Sequence, residues 1–231
     1  VQVEKLAARG LIAIMVANAP PAIAPWGART PIFGTNPIAF SAPAAGPDPF
    51  VFDMATTVAA MGKIKTLLQQ GRPMPEGWMV GRDGKPLTDP ARKSEGFLMP
   101  IGGSKGFGLS VAIGLMAGIM NGAAFGSDVV DFTKDTTSST NTGQFVVALD
   151  PKAFGSGDAF ARQAARVFDE MRASPPLPGH DPVRLPGDGK TALAKARRSH
   201  GLTLDRALCC DLNAIAADCG LPPPFAPDRA G

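Results

Sequence analysis

"PIGGSKGFGLSVAIGLMAG", Pro100 to Gly118, is the stretch on which the fold turns. A glycine-rich turn runs straight into an apolar helix, so backbone amides can approach an anion while the positive end of the helix faces it. It is neither of the common phosphate loops. A P-loop carries its lysine after the last glycine and follows it with serine or threonine, whereas Lys105 here precedes Gly106 and Gly108; the dinucleotide fingerprint G-x-G-x-x-G is missing as well. Two readings stand on the loop alone: an anion cradle built outside a Rossmann or P-loop frame, or glycines that permit tight helix packing beside a solvated Lys105.

Working outward, a helix starts near Lys105, and its apolar stretch, Leu109 to Met120, is too short to span a bilayer. Val3 to Arg9 reads as the end of a helix with Gly10 as its cap, and "LIAIMVA", Leu11 to Ala17, as a buried strand. The prolines from Pro20 to Pro43 forbid a helix and impose an extended path that still admits a short strand in "PIAFSAP". "PFVFDMATT", Pro49 to Thr57, reads as a strand delivering Asp53 to its carboxyl end, with Thr56 or Thr57 capping a helix through about Gln70. "RDG" marks a tight turn, Gln144 to Leu149 a strand, and Asp158 to Ala173 an amphipathic helix. "SPPLPGHDPVRLPGDG" is a proline-rich surface path, and a last helix runs from about Asp205 to Cys219.

Composition narrows the class. Apolar residues make up 45% and charged residues 19%, the balance of a folded chain, and a net charge of +3 without basic runs speaks against a nucleic-acid partner. Cys209, Cys210 and Cys219 fall together near one helix rather than spread as disulfide pairs, which suits reduced thiols and a cytoplasmic protein with no membrane partner. The first residues carry no secretory signal, and the abrupt start inside a helical pattern leads us to expect a missing N-terminal portion.

Few residues could carry acid–base chemistry. The only histidines are His180 and His200. Neither sits in a metal-ligand pattern, the cysteines have the wrong spacing for zinc, and no G-x-S-x-G elbow exists, so no metal is expected. Asp53 could orient a ribose hydroxyl or merely cap a helix, and Lys63 could be a functional amine or an ordinary solvated lysine.

In order and spacing, "APWG" (24–27), "GTNPIAF" (34–40), "FDMATT" (52–57), "GGSKGFGL" (102–109) and "GQFVVALDP" (143–151) resemble the malate/L-lactate dehydrogenase family, which is distinct from the Rossmann-type malate and lactate dehydrogenases and includes ureidoglycolate, sulfolactate and piperideine-2-carboxylate oxidoreductases. The likeness runs from about Leu6 to the end. It implies a family-specific, non-Rossmann α/β fold with a mixed sheet and flanking helices, organised as an NAD(P)-binding domain over residues 1–176 and a segment over 177–231 that completes the cofactor site. It also implies NAD or NADP as cofactor, hydride exchange with a small 2-hydroxy or 2-oxo acid, and a homodimer. Carried over residue by residue, Thr35 meets the substrate, and Asp53, Met54, Ala55, Lys105, Arg184, Pro186 and Gly187 form the cofactor site. The family's Ser-His-Gly histidine and its carboxylate-binding arginine belong to a region that does not precede Val1. The catalytic residue is therefore unassigned, and impaired turnover, or a dinucleotide-binding module without catalysis, is the expectation for this chain. "SHG", Ser199 to Gly201, is read as a coincidence.

Overall fold

The computed structural model describes residues 2–46, 48–204 and 206–225. These form two compact units, one reaching to Asp188 and the other beginning at Gly189.

The first unit is built on helix α1 (Gln2–Ala7), strands β1 (Ile12–Ala17), β2 (Ile38–Ala42) and β3 (Phe50–Met54), helix α2 (Met61–Gln69), strands β4 (Met79–Gly81) and β5 (Gly96–Leu98), helix α3 (Ser104–Ala117), strand β6 (Gln144–Leu149) and helix α4 (Gly157–Ala173). The main sheet has the order β3-β2-β1-β6, and β4 pairs with β5 in a separate ribbon. The class is α/β with helices flanking a sheet, as the sequence leads one to expect. The sheet is not mixed, however, because each of these pairings is antiparallel.

β1 explains why its sequence is apolar throughout. It is one of the two inner strands, with helices on both sides, so neither face of its two-residue alternation meets water freely. Ala13 and Met15 face α1 with Val3, Leu6, Ala39 and Val51. Ile14 and Val16 face α3 with Ile38, Ile113, Ala117 and Phe145. A third core, of Ile64, Met74, Met79, Leu87 and Leu98, joins α2 to the β4–β5 ribbon.

Two expectations need correction. Neither Thr56 nor Thr57 caps α2; the cap position is Ala60, without a side-chain bond, because both threonines are drawn into other hydrogen bonds. The second unit also contains a helix absent from the sequence reading, α5 (Lys190–His200), ahead of α6 (Arg206–Asp218). Asp205, the expected start of the last helix, lies outside the described residues.

Candidate active site

The chain leaving β3 is where separate parts of the sequence meet. Thr56 is fully buried, and both its N–H and its Oγ1 donate to the carbonyl of Thr35, each at 2.8 Å. The next groups along bind the approach to α3: Ile101 N–H donates to the Thr56 carbonyl at 3.0 Å, and Val58 N–H to that of Met99 at 2.9 Å. Thr35, Met54 and Ala55 are thereby held beside the start of α3, where Lys105 is the second residue. Asp53 is placed differently. Consecutive strand residues point to opposite faces, and Asp53 stands across from Ala39 on the α1 side, in a cleft of about 120 Å³ with Gln2 and Met15.

The "GTNP" turn is fastened by a residue the sequence reading passed over. Asn36 is the only non-glycine among the described residues with positive φ, at 25°, and it is fully buried. Its Oδ1 accepts from Ala19 N–H at 3.1 Å, and its Nδ2 donates to the Ser110 carbonyl in α3 at 2.8 Å. Ser110 Oγ in turn donates to the Gly34 carbonyl at 3.2 Å. Gly34 must be glycine, since a Cβ there would lie 2.1 Å from the Ala19 carbonyl oxygen. The available signal was asparagine itself, which tolerates left-handed backbone better than most residues.

In the loop that opens the helix, Gly102 and Gly103 adopt φ of 57° and 64°, conformations that suit glycine. Gly106 is required for another reason: a Cβ would come within 2.1 Å of the Ile101 carbonyl. Lys105 is exposed and makes no ion pair among the described residues. This donor set fits a diphosphate, because the first turn of a helix presents unsatisfied N–H groups and a positive dipole end, and the Gly102 surface is bare except for the Lys105 Cβ at 3.9 Å.

Pro186 and Gly187 reach the same strand from its open edge, and Arg184 stands exposed two residues before Pro186. Val51 N–H donates to the Pro186 carbonyl at 3.3 Å, and Gly187, at φ 102°, passes so close that a Cβ would sit 3.1 Å from the Pro49 oxygen and Val51 nitrogen. Asp188 anchors this segment by accepting from Arg172 Nη2 at 2.7 Å, Arg172 Nε at 3.1 Å and Leu185 N–H at 2.8 Å. The guanidinium holds the Asp188 carboxyl below the usual carboxylate range. Val51 and Met54 are three residues apart, about 10 Å along the strand, so this segment and the α3 start flank the end of β3 from two directions.

The remaining candidates stand apart. His180 is exposed in a loop, and Lys63 is exposed on α2. His200 Nδ1 lies 3.0 Å from both Ser199 Oγ and the Ala196 carbonyl, and Gly201, at φ 82°, donates back to the Arg197 carbonyl, so "SHG" ends helix α5. Among the described residues no group of three or more histidine, cysteine or acidic side chains could hold a metal ion, and no helix is long and apolar enough to cross a membrane. A cavity of about 940 Å³ was not foreseen. It opens between the 24–30 loop and the β4–β5 ribbon, with Trp26, Arg29, Arg82, Asp83, Phe97 and Met99 in its walls.

The sequence profile of the malate/L-lactate dehydrogenase family matches residues 1–213. The chain belongs to this family. It is 36% identical over 214 residues to a (2R)-3-sulfolactate dehydrogenase (NADP(+)) of Chromohalobacter salexigens, covering 93% of this chain and 62% of that protein. To the ureidoglycolate dehydrogenase (NAD(+)) of Escherichia coli O157:H7 it is 33% identical over 202 residues, covering 87% and 57%. Among solved structures it superposes on malate dehydrogenase from Entamoeba histolytica with a TM-score of 0.88 at 25% identity, covering 96% of this chain and 65% of that one. Sulfolactate dehydrogenase from Methanocaldococcus jannaschii follows at 0.82 and 35%, covering 95% and 62%. The chain thus spans about three-fifths of the length of the curated relatives it matches. These likenesses bear out the family resemblance and the fold class it implied.

Proposed function

We propose that this chain forms the dinucleotide-binding body of an NAD(P)-dependent oxidoreductase acting on a small 2-hydroxy or 2-oxo acid. One observation carries the reading: Thr56 joins the Thr35 turn, the end of β3 and the start of α3 in one hydrogen-bonded junction, so a substrate contact and a diphosphate cradle lie side by side. In this reading Lys105 and the first turn of α3 take the diphosphate, Met54 and Ala55 line its flank, Arg184, Pro186 and Gly187 close the site along β3, and Asp53 contributes from the strand end. Thr35 orients the substrate. The cofactor supplies a hydride acceptor or donor when bound, and these residues bind and align it. The 1–176 portion holds the cofactor and 177–231 completes its site. The names of the relatives, which act on sulfolactate and ureidoglycolate, support the substrate class. The cysteines, free among the described residues, favour a cytoplasmic setting, the modest net charge argues against nucleic acid, and exposed Leu115, Ile119 and Met120 on and beside α3 offer apolar surface for a homodimer.

A charge-assisted contact from lysine to a phosphate is worth about 1.5 to 3 kcal/mol, so Lys105→Ala is expected to weaken dinucleotide binding roughly tenfold to a hundredfold while leaving the fold intact. Titration of NADH and NADPH by fluorescence checks it, and equal affinity in both proteins would overturn the assignment. A second reading, a binding module without turnover, is favoured by the exposed loop position of His180 and the helix-end engagement of His200. NAD(P)H consumption with a panel of 2-oxo acids separates the two.

A further inference from the structure

Asn121 and Gly122 form the single Asn-Gly pair in the sequence. Asparagine is thermolabile because the next backbone nitrogen can attack its side-chain carbonyl carbon, and glycine, without a side chain, hinders that attack least. The pair stands where two elements of the first unit meet. It closes the short 3-10 turn Ile119–Asn121 that follows α3, and Gly122, at φ 68°, turns the chain away.

Asn121 is exposed, yet its amide nitrogen is fully engaged. Nδ2 donates to the carbonyls of Met116 at 3.1 Å, Ala117 at 3.3 Å and Gln144 at 2.7 Å. The first two belong to the last turn of α3, whose carbonyls lack partners within the helix. The third opens β6. Asn18 N–H donates to the Gly143 carbonyl, so Gly143 faces β1 and the alternation of the ladder turns the Gln144 carbonyl to the outer edge of the sheet. One amide thus ties the end of α3 to the free edge of β6. The other reacting group is held as well, because Gly122 N–H donates to the Ile119 carbonyl at 3.1 Å. Attack requires all four hydrogen bonds to open.

We infer that Asn121 is a spontaneous modification site whose rate follows the opening of the α3–β6 junction and whose product weakens that junction. The Gly122 nitrogen gives its proton to solvent and bonds to Cγ of Asn121. The Cγ–Nδ2 bond breaks, the amide nitrogen takes up a proton and leaves as ammonia, and a cyclic imide remains. Water opens the imide at either carbonyl, to aspartate or isoaspartate, with no oxidant and no cofactor. Either product puts a carboxylate where three carbonyls had a donor, and its charge opposes the negative end of the α3 dipole.

The 231-residue chain, folded or in concentrated urea, is incubated in mildly alkaline buffer while peptide mass spectrometry and an isoaspartate-specific methyltransferase assay follow each asparagine. In the folded chain Asn121 is expected to convert ahead of Asn18, Asn36, Asn141 and Asn213. Its rate should be roughly tenfold to a hundredfold below that in urea, since opening precedes attack. Gly122→Ala, with open space where its Cβ would go, should slow the reaction in urea, where φ plays no part. Asn121→Asp should lower the urea midpoint at neutral pH; if that variant does not fold, the rates of the parent chain decide. Earlier conversion of another asparagine, equal rates in the folded and unfolded chain, an Asn121 left intact in the folded chain after about a hundred unfolded-state half-lives, or an Asn121→Asp variant with the parent's midpoint would each overturn the assignment.

Discussion

Asn36 shows how much one side chain can hold that local sequence patterns do not announce. Its amide satisfies a donor in one loop and an acceptor in α3, with the side chain fully buried and its own backbone left-handed. Asn36→Ala removes both hydrogen bonds and replaces asparagine with a residue that tolerates positive φ less well, and is expected to lower stability by about 3 to 5 kcal/mol. Asn36→Gly relieves the backbone and loses only the two bonds, so about 2 kcal/mol is expected. Urea denaturation of both variants checks the ranking. Should alanine prove no worse than glycine, backbone conformation has no part in the effect. At this scale the "GTNP" turn itself was legible in the sequence. The role of Asn36 was not, because its partners, Ala19 and Ser110, lie 17 residues before it and 74 after it.

At the scale of the element, α3 resolves why its opening is so rich in glycine. Gly102 and Gly103 serve backbone conformation and Gly106 serves close approach, but Gly108 has open space where a Cβ would go and no positive φ. Gly108→Ala should therefore raise stability by about 1 kcal/mol through helix propensity, while Gly106→Ala should lower it by more than 2 kcal/mol because backbone must move. Thermal unfolding of the two variants measures this, and a destabilised Gly108→Ala would mean that α3 packs more tightly there than its open surface indicates. The helix was legible because its apolar run follows a glycine turn. α5 was not legible, since it buries no residue and Leu193 is half exposed. Its alanines, lysines and arginines form helix by propensity alone, which leaves no apolar stripe to read.

For the whole molecule, the segments of β1, β2, β3 and β6 were visible in the sequence as extended, but their pairing was not. β1 and β2 are neighbours joined by a long proline-rich excursion, and β6 returns to the other edge of β1 only after α3. No tight-turn signal links such partners, so sheet direction has to come from tertiary packing. The Trp26 cavity escaped notice for the same reason, as its walls lie 50 or more residues apart. The segment from Arg184 to Asp188 is tethered by the Val51–Pro186 backbone bond and by the Arg172–Asp188 pair, and the second leads to the last prediction. The folded-state pKa of Asp188 is depressed chiefly by its hydrogen bond with Arg172. Its contribution is therefore complete above the ordinary carboxylate range and fades as pH falls through 4 and below. Both side chains touch water, so the pair is worth no more than about 1 kcal/mol. Asp188→Asn should accordingly be less stable than the parent by about that amount at pH 7, and the difference should close by about pH 3. Urea midpoints of the two proteins at both pH values decide it. A gap that persists unchanged in acid would assign the anchoring to packing or hydrogen-bond geometry that asparagine does not reproduce, and not to the charge on Asp188.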